Sequence, residues 1–342
     1  MKIASPDHCR ESMKFLILGA GSLGLIFGGM LDIAGHDVTL VARGKNYEAL
    51  NNDGLTIMTP EGDIKRRLNV VSTPNSVEAA DVAFLTVKSR DTESILSAST
   101  HLFGKTLFIS LQNAAEKDEL LSRYAGSSHV IGGVSTVGAT LTEPGIVDYT
   151  AVGYNWLGEI PKGRSERVKE IVETLNQAGI PTDHAANITE IKWAKLIVYC
   201  ANAGLASLTR LRTNESLQDP TLTAAFLKIV KEGGNVMKAI GLPPDNPPHL
   251  LPIKRILESQ EDEIIQEFTD RARKSHDEER KVTVSMLQDV LNNKEIEVEE
   301  TFGYIIKIAQ SQNVEIPTLR IIYALLRGLN RHILNSSNDH DS

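Results

Sequence analysis

The ten residues Phe15–Gly24, FLILGAGSLG, decide how the first half of this 342-residue chain is read. Lys14–Leu18 is a short apolar run of the kind that forms a buried strand. Glycines follow at Gly19, Gly21 and Gly24, in the spacing G-x-G-x-x-G, and a helical pattern then runs to Ala34. In a strand that turns straight into a helix, the first glycine permits the tight turn. The second lets a pyrophosphate approach the backbone, and the third lets the helix pack on the strand. The helix start offers free N–H groups and the positive end of its dipole to phosphate oxygens. The stretch predicts dinucleotide binding by Gly19, Gly21, Ser22, Leu23 and Gly24.

Working outward, GHD (Gly35–Asp37) turns into a second strand, Val38–Ala42, and that strand is followed by Arg43. A site built for NADH places a carboxylate there, to accept from the ribose hydroxyls. A guanidinium instead grips a 2′-phosphate with two hydrogen bonds. The expected cofactor is therefore NADPH/NADP+. Further strands are expected in GLTIM, RLNVV, DVAFLTV and TLFISL, with helices between some of them. Such alternation implies a mostly parallel sheet covered on both faces. After Gly145 the short runs GIVDYT and YNWLGEI are expected as antiparallel strands that complete or edge that sheet.

From Ser165 onward the pattern is helical, with expected helices near 217–240, 250–268, 284–291, 299–312 and 318–334. The expected organisation is an N-terminal extension over 1–12, an α/β Rossmann-type domain over 13–182, an all-α domain over 183–333 and a disordered tail over 334–342. The dense charges of Asp270–Lys281 read as a solvated helix or loop. Hydrophobic residues make up 41% of the chain and charged residues 23%, which is the composition of a folded globular protein. The net charge of −8 argues against nucleic acid or an anionic membrane as the main partner. No apolar run is long enough to span a bilayer, and the N-terminus lacks the apolar region of a signal peptide. The two cysteines, Cys9 and Cys200, show neither metal-ligand nor disulfide-framework spacing, so a cytoplasmic location is expected and no metal site.

WAKLIVYCANAG, Trp193–Gly204, sets Lys195 among apolar and small residues of a helix. A charged side chain there either snorkels to solvent or does chemistry. Desolvation lowers the pKa of such a lysine, and a nearby carboxylate opposes the shift.

Taken together, ILGAGSLG, GHDVTLVARG, TVKS, LQNAAE, GGVSTVGATLTEPG, WAKLIVYCANAG, SMLQDV and KEIEVEE resemble the ketopantoate reductase family from Met13 to about Arg331. The resemblance implies a Rossmann-type domain followed by a helical domain of the 6-phosphogluconate dehydrogenase C-terminal type. It implies NADPH-dependent reduction of an α-keto acid, with ketopantoate giving pantoate in pantothenate biosynthesis, and members that are often homodimers. It puts Arg43 and Lys88 at the cofactor's phosphates and ribose, and Asn113 beside nicotinamide and substrate. Lys195 falls on the general acid, Ser285 on a substrate-binding serine, and Glu297 on the carboxylate that partners the lysine. These residue types suit the reaction: an ammonium stabilises and protonates the oxygen as hydride adds to the carbon, and neutral donors hold the substrate oxygens.

Two positions depart from the family pattern. One and two helical steps of four beyond Lys195 stand Tyr199 and Ala203, where pantoate-forming members usually show asparagine. Asn202 is adjacent but points about 100° away. Tyr199 and Asn202 are retained as expected substrate contacts. Loss of those donors puts substrate choice in question. Three readings stand at this level: a ketopantoate reductase, a relative acting on another ketone or an imine, and a non-enzymatic NADPH sensor.

Overall fold

The apolar run after Lys14 forms strand β1 (Lys14–Leu18), buried from Phe15 onward, and the glycine turn leads directly into helix α1 (Ser22–Ile33). The computed structural model describes residues 12–245, 247–275 and 283–338. Most of the expected N-terminal extension, the end of the charged stretch and the last residues of the expected tail lie outside the described residues. The chain divides into two compact units. One comprises the chain up to Gln112 together with Glu116–Thr189, and the other Asn113–Ala115 together with the chain from Glu190 onward.

In the first unit the chain continues through β2 (Asp37–Val41), α2 (Gly44–Asn52), β3 (Leu55–Met58), β4 (Ile64–Arg66), β5 (Asn69–Val71) and β6 (Val82–Leu85). Then come α3 (Thr92–Ser97), β7 (Leu107–Ser110), α4 (Lys117–Ala125), β8 (Val130–Ser135), β9 (Gly138–Glu143) and β10 (Ile146–Ala151). β11 (Asn155–Gly158), α5 (Glu166–Gln177) and β12 (Thr182–His184) complete the unit. Eight strands form the main sheet in the order β12-β11-β8-β7-β6-β1-β2-β5. All its neighbours run parallel except β11 against β8. The order reverses at β1, which lies between β2 and β6. Ligands of open α/β sheets bind at the carboxyl ends of the strands at such a reversal, and here that end is the glycine turn.

The expectation for the later strands needs correction. β11 joins the main sheet antiparallel, as the short runs suggested, but β10 does not. It pairs parallel with β3 in a separate sheet of order β4-β3-β10-β9. The cause is α1, which packs its glycine side on this second sheet: a Cβ on Gly29 would come 2.5 Å from Ile57 Cδ1. β8 was not expected at all. Its sequence VIGGVS lacks the usual pattern because its glycines lie where neighbours press in. A Cβ on Gly132 would meet Ile188 at 2.8 Å, and one on Gly133 would meet Ile109 at 2.6 Å.

The second unit is helical: α6 (Ile188–Thr209, from Glu190 on), α7 (Thr213–Ser216), α8 (Pro220–Ala239), α9 (Ile253–Glu258) and α10 (Glu261–Ser275). α11 (Ser285–Leu291), a π-helical turn (Glu299–Gly303), α12 (Tyr304–Ser311) and α13 (Pro317–Asn338) follow. α6 is apolar around most of its circumference and runs through the core, with Trp193, Ala194, Leu196, Ile197, Cys200, Ala201 and Ala203 all buried. The single helix expected over 250–268 is broken at Ser259, whose backbone is extended and whose hydroxyl bonds Arg255 O at 2.7 Å. α13 extends to Asn338, past the helix end expected at 334, and its apolar spacing runs through buried Ile333. Its start is capped from a distance: the buried carboxylate of Glu232 accepts from the N–H groups of Thr318 and Leu319 at 2.9 and 2.8 Å.

Candidate active site

In the first unit the glycine turn is packed tightly behind and open in front. Gly19 has φ +119°, and a Cβ there would lie 2.7 Å from Val87 N. A Cβ on Gly24 would lie 2.1 Å from Gly19 O, so only glycine lets α1 approach β1 this closely. At Gly21, the N-cap of α1, an added Cβ would meet nothing within 4 Å, and no side chain caps the helix. Backbone donors of Ser22, Leu23 and Gly24 at the start of a 12-residue helix, beside an open space, fit a dinucleotide pyrophosphate.

The turn is braced by neighbours. Thr86 Oγ1 donates to Gly19 O at 2.7 Å, and Ala20 N donates to Val41 O at 3.0 Å. Asn46 of α2 donates its amide to Ala20 O and accepts from Gly145 N at 2.7 Å. This asparagine was missed in the sequence; its spacing from Arg43, one turn of α2 away, was the available signal.

Arg43 is the N-cap residue of α2, and its exposed side chain is paired with Asp91 at 2.9 Å. Asp91 was not anticipated. It closes the short turn Ser89–Asp91 that Lys88 precedes, so Lys88 and Asp91 follow the carboxyl end of β6 as Arg43 follows that of β2, the two strands that flank β1. An exposed pair of this kind contributes about 0–1 kcal/mol, so a phosphate can take over the guanidinium at little cost.

A second unforeseen feature lies among the strand ends. The ammonium of buried Lys117 donates to Ser110 O at 2.6 Å, to Gly133 O at 2.7 Å and to buried Asp118 Oδ1 at 2.9 Å. It thereby ties the ends of β7 and β8 together. Gln112 Nε2 similarly donates to Val87 O at 2.8 Å and Thr92 Oγ1 at 2.7 Å, tying β7 to the segment after β6.

The helical unit gathers four of the residues expected from the sequence. Lys195 Nζ donates to Asn113 Oδ1, although Asn113 directly follows the β7 segment in the chain. Asn113 Nδ2 donates to Ser285 Oγ at 3.3 Å. The Tyr199 hydroxyl lies 3.2 Å from the same Oγ, and Lys195 Nζ stands 5.1 Å from the Tyr199 ring centroid. Ser285 is the first residue of α11, and Val284 holds the cap position. Burial pushes the Tyr199 phenol well above the usual range, and the charge of Glu297 adds to the shift. Burial likewise raises the Cys200 thiol, while Lys195 pulls it down.

The glutamate cluster resolves by partner. Glu299 is engaged by the Tyr323 hydroxyl at 2.7 Å and by Arg327 at 3.0 Å. Burial raises the Glu300 carboxyl, with Glu297, Glu295 and Glu299 adding to the shift, and its backbone oxygen accepts from Ala115 N at 3.0 Å. Glu297, partly buried, is the glutamate whose charge reaches Tyr199. Farther along α6, Asn202 Oδ1 is buried without a hydrogen-bond partner, and Ala203 is fully buried in the core.

The same two-part organisation is found in known proteins. Profiles of the ketopantoate reductase PanE/ApbA family match residues 15–162, and those of its C-terminal domain match residues 187–330. A 2-dehydropantoate 2-reductase of Pyrococcus horikoshii is 33% identical over 316 residues, 92% of this chain and 97% of that protein. One from Archaeoglobus fulgidus is 31% identical over 92% of this chain and 96% of its own length. Among solved structures, a PanE/ApbA family ketopantoate reductase from Ralstonia eutropha JMP134 superposes with a TM-score of 0.77 at 26% identity, covering 94% of this chain and all (100%) of its own. D-Mandelate dehydrogenase, solved with NADH and anilino(oxo)acetate, gives a TM-score of 0.80 at 21% identity over 94% of this chain and 99% of its own, a likeness of fold. On the profiles that span both units and the full-length relatives, the chain belongs to the ketopantoate reductase family of oxidoreductases.

Proposed function

We propose that this protein reduces an α-keto acid to an α-hydroxy acid with NADPH, and that ketopantoate, reduced to pantoate, is its substrate. The observation that carries the reading is the joined set Lys195–Asn113–Ser285 in the helical unit of a chain with an open glycine turn. When bound, the cofactor supplies hydride. The backbone of Gly19, Gly21, Ser22, Leu23 and Gly24 holds its pyrophosphate. Arg43 grips the 2′-phosphate, with Lys88 beside the ribose.

Asn113 borders the nicotinamide and keeps the Lys195 side chain in place by accepting its proton-bearing end. Lys195 donates a proton to the ketone oxygen as negative charge grows there. Ser285 and Asn202 are substrate contacts, and Glu297 offsets the desolvation of Lys195. A cytoplasmic location belongs to the same reading and rests on the sparse, unclustered cysteines.

A second reading is favoured by Tyr199, which stands where pantoate-forming members usually show asparagine: another ketone or an imine is the preferred substrate. Loss of NADPH absorbance over a panel of keto acids, other ketones and imines, with ketopantoate first, tests both. Low-KM turnover of ketopantoate dismisses the second reading. Tight NADPH binding without turnover of any keto acid overturns the first.

A further inference from the structure

Tyr199 meets two partners in the helical unit with two different parts of its side chain. Its ring lies against the Lys195 ammonium, 5.1 Å from Nζ to the centroid, and its hydroxyl lies 3.2 Å from Ser285 Oγ. The directions of the hydrogen bonds follow from what each group can give. An ammonium has protons and no lone pair, so Asn113 Oδ1 accepts from Lys195. The other end of that amide is then its NH2, which donates to Ser285 Oγ. Burial keeps the Tyr199 phenol protonated, so it too has a proton to give.

We propose that Tyr199 is a positioning residue with two separable actions: its hydroxyl donates to Ser285, turning the serine proton toward a substrate oxygen, and its ring holds the Lys195 ammonium. The first action rests on the keto-acid reading. The carboxylate and ketone oxygens of such a substrate are all acceptors, and they select this direction over the reverse, in which Ser285 would donate to the phenol and face the substrate with a lone pair. The second action is independent of substrate. A cation over an aromatic face is stabilised by the ring quadrupole, most strongly where water is scarce. Titratable groups that act on this pair among the described residues include Cys200 on α6, Asp289 on α11 and Glu297 ahead of the π-helical turn.

The test separates hydroxyl from ring in the full-length protein. Tyr199→Phe keeps the ring and removes the hydroxyl. It is expected to raise KM for the keto acid that the wild type reduces by about five- to ten-fold, the effect of one hydrogen bond, with kcat little changed. Tyr199→Leu, with Tyr199→Met as a second variant of preserved bulk, removes both. It is expected to lower the Lys195 titration midpoint by roughly half a unit to one unit, read without substrate by NMR on isotope-labelled lysine, where Tyr199→Phe leaves it in place. An unchanged KM in Tyr199→Phe overturns the hydroxyl action, and an unmoved midpoint in the Leu and Met variants overturns the ring action. If the wild type reduces no keto acid, the functional reading and the hydroxyl action fail, while the substrate-free titration still decides the ring.

Discussion

The ammonium of Lys195 donates to the side-chain oxygen of Asn113, 82 positions earlier in the chain. Groups joined this way act as a unit, so their single losses do not add. Lys195→Ala is expected to lower kcat by about 10²–10⁴-fold, the usual worth of a positioned proton donor. Asn113→Ala is expected to lower it less, and the double variant little more than Lys195→Ala alone. Steady-state kinetics of the four proteins check this; independent, multiplying effects would separate the two roles.

Arg43 pairs with Asp91 at 2.9 Å, and on the proposed reading this guanidinium grips the 2′-phosphate of the cofactor. Arg43→Asp is expected to raise KM for NADPH far more than KM for NADH, since a carboxylate repels the 2′-phosphate. Asp91→Asn frees the guanidinium and is expected to lower KM for NADPH by about two- to five-fold, the scale of an exposed ion pair. Equal changes with both cofactors would remove Arg43 from the 2′-phosphate site.

Gly24 has no space for a side chain, because its Cβ would sit 2.1 Å from Gly19 O. Gly24→Ala is expected to destabilise the first unit by about 1–3 kcal/mol through overpacking and to weaken NADPH binding together with it. Gly21→Ala meets no neighbour, so thermal unfolding without ligand is expected to stay near wild type while cofactor affinity falls. Urea denaturation and cofactor titration separate the two effects.

Lys117 and Asp118 form a buried pair, each side chain 3% exposed. Lys117→Ala leaves the carboxylate buried without its counter-charge and is expected to cost about 3–5 kcal/mol. Replacing both with apolar residues of similar size is expected to cost less than the single substitution. Chemical denaturation of the two variants decides; a larger loss in the double variant would show that Asp118 contributes through more than its pairing with Lys117.

Glu159 is held below the usual carboxylate value of 4.5, chiefly by its hydrogen bond to Arg167. A depressed carboxyl pKa stabilises the fold at pH values above 4.5, and the contribution is lost as pH falls through the lowered value. Arg167→Ala is therefore expected to reduce stability near neutrality and to flatten its decline in acid. Thermal melts across the acid range test the slope; a slope unchanged from wild type would count against this pair as a source of acid sensitivity.

The sequence by itself determined what short-range geometry encodes. Gly19, Gly21 and Gly24 specify a strand-to-helix turn because their spacing acts within one turn of chain. Lys195 stands out in the same way, as a charge among the apolar residues that surround it on α6. Tertiary structure alone decided the rest. β8 is hidden in sequence because Gly132 and Gly133 answer to the distant Ile188 and the neighbouring Ile109, not to a local pattern. β10 leaves the main sheet because its partner is β3, some ninety residues earlier by the paired Ile146 and Thr56. Asp91 on Arg43 and Lys117 across two strand ends follow from strand order, which no local window contains. The meeting of Asn113, Lys195, Tyr199 and Ser285 spans up to 172 positions. Backbone periodicity is a property of neighbours in the chain, whereas hydrogen-bond partners and the packing space of a glycine belong to neighbours in space, and only folding brings those together.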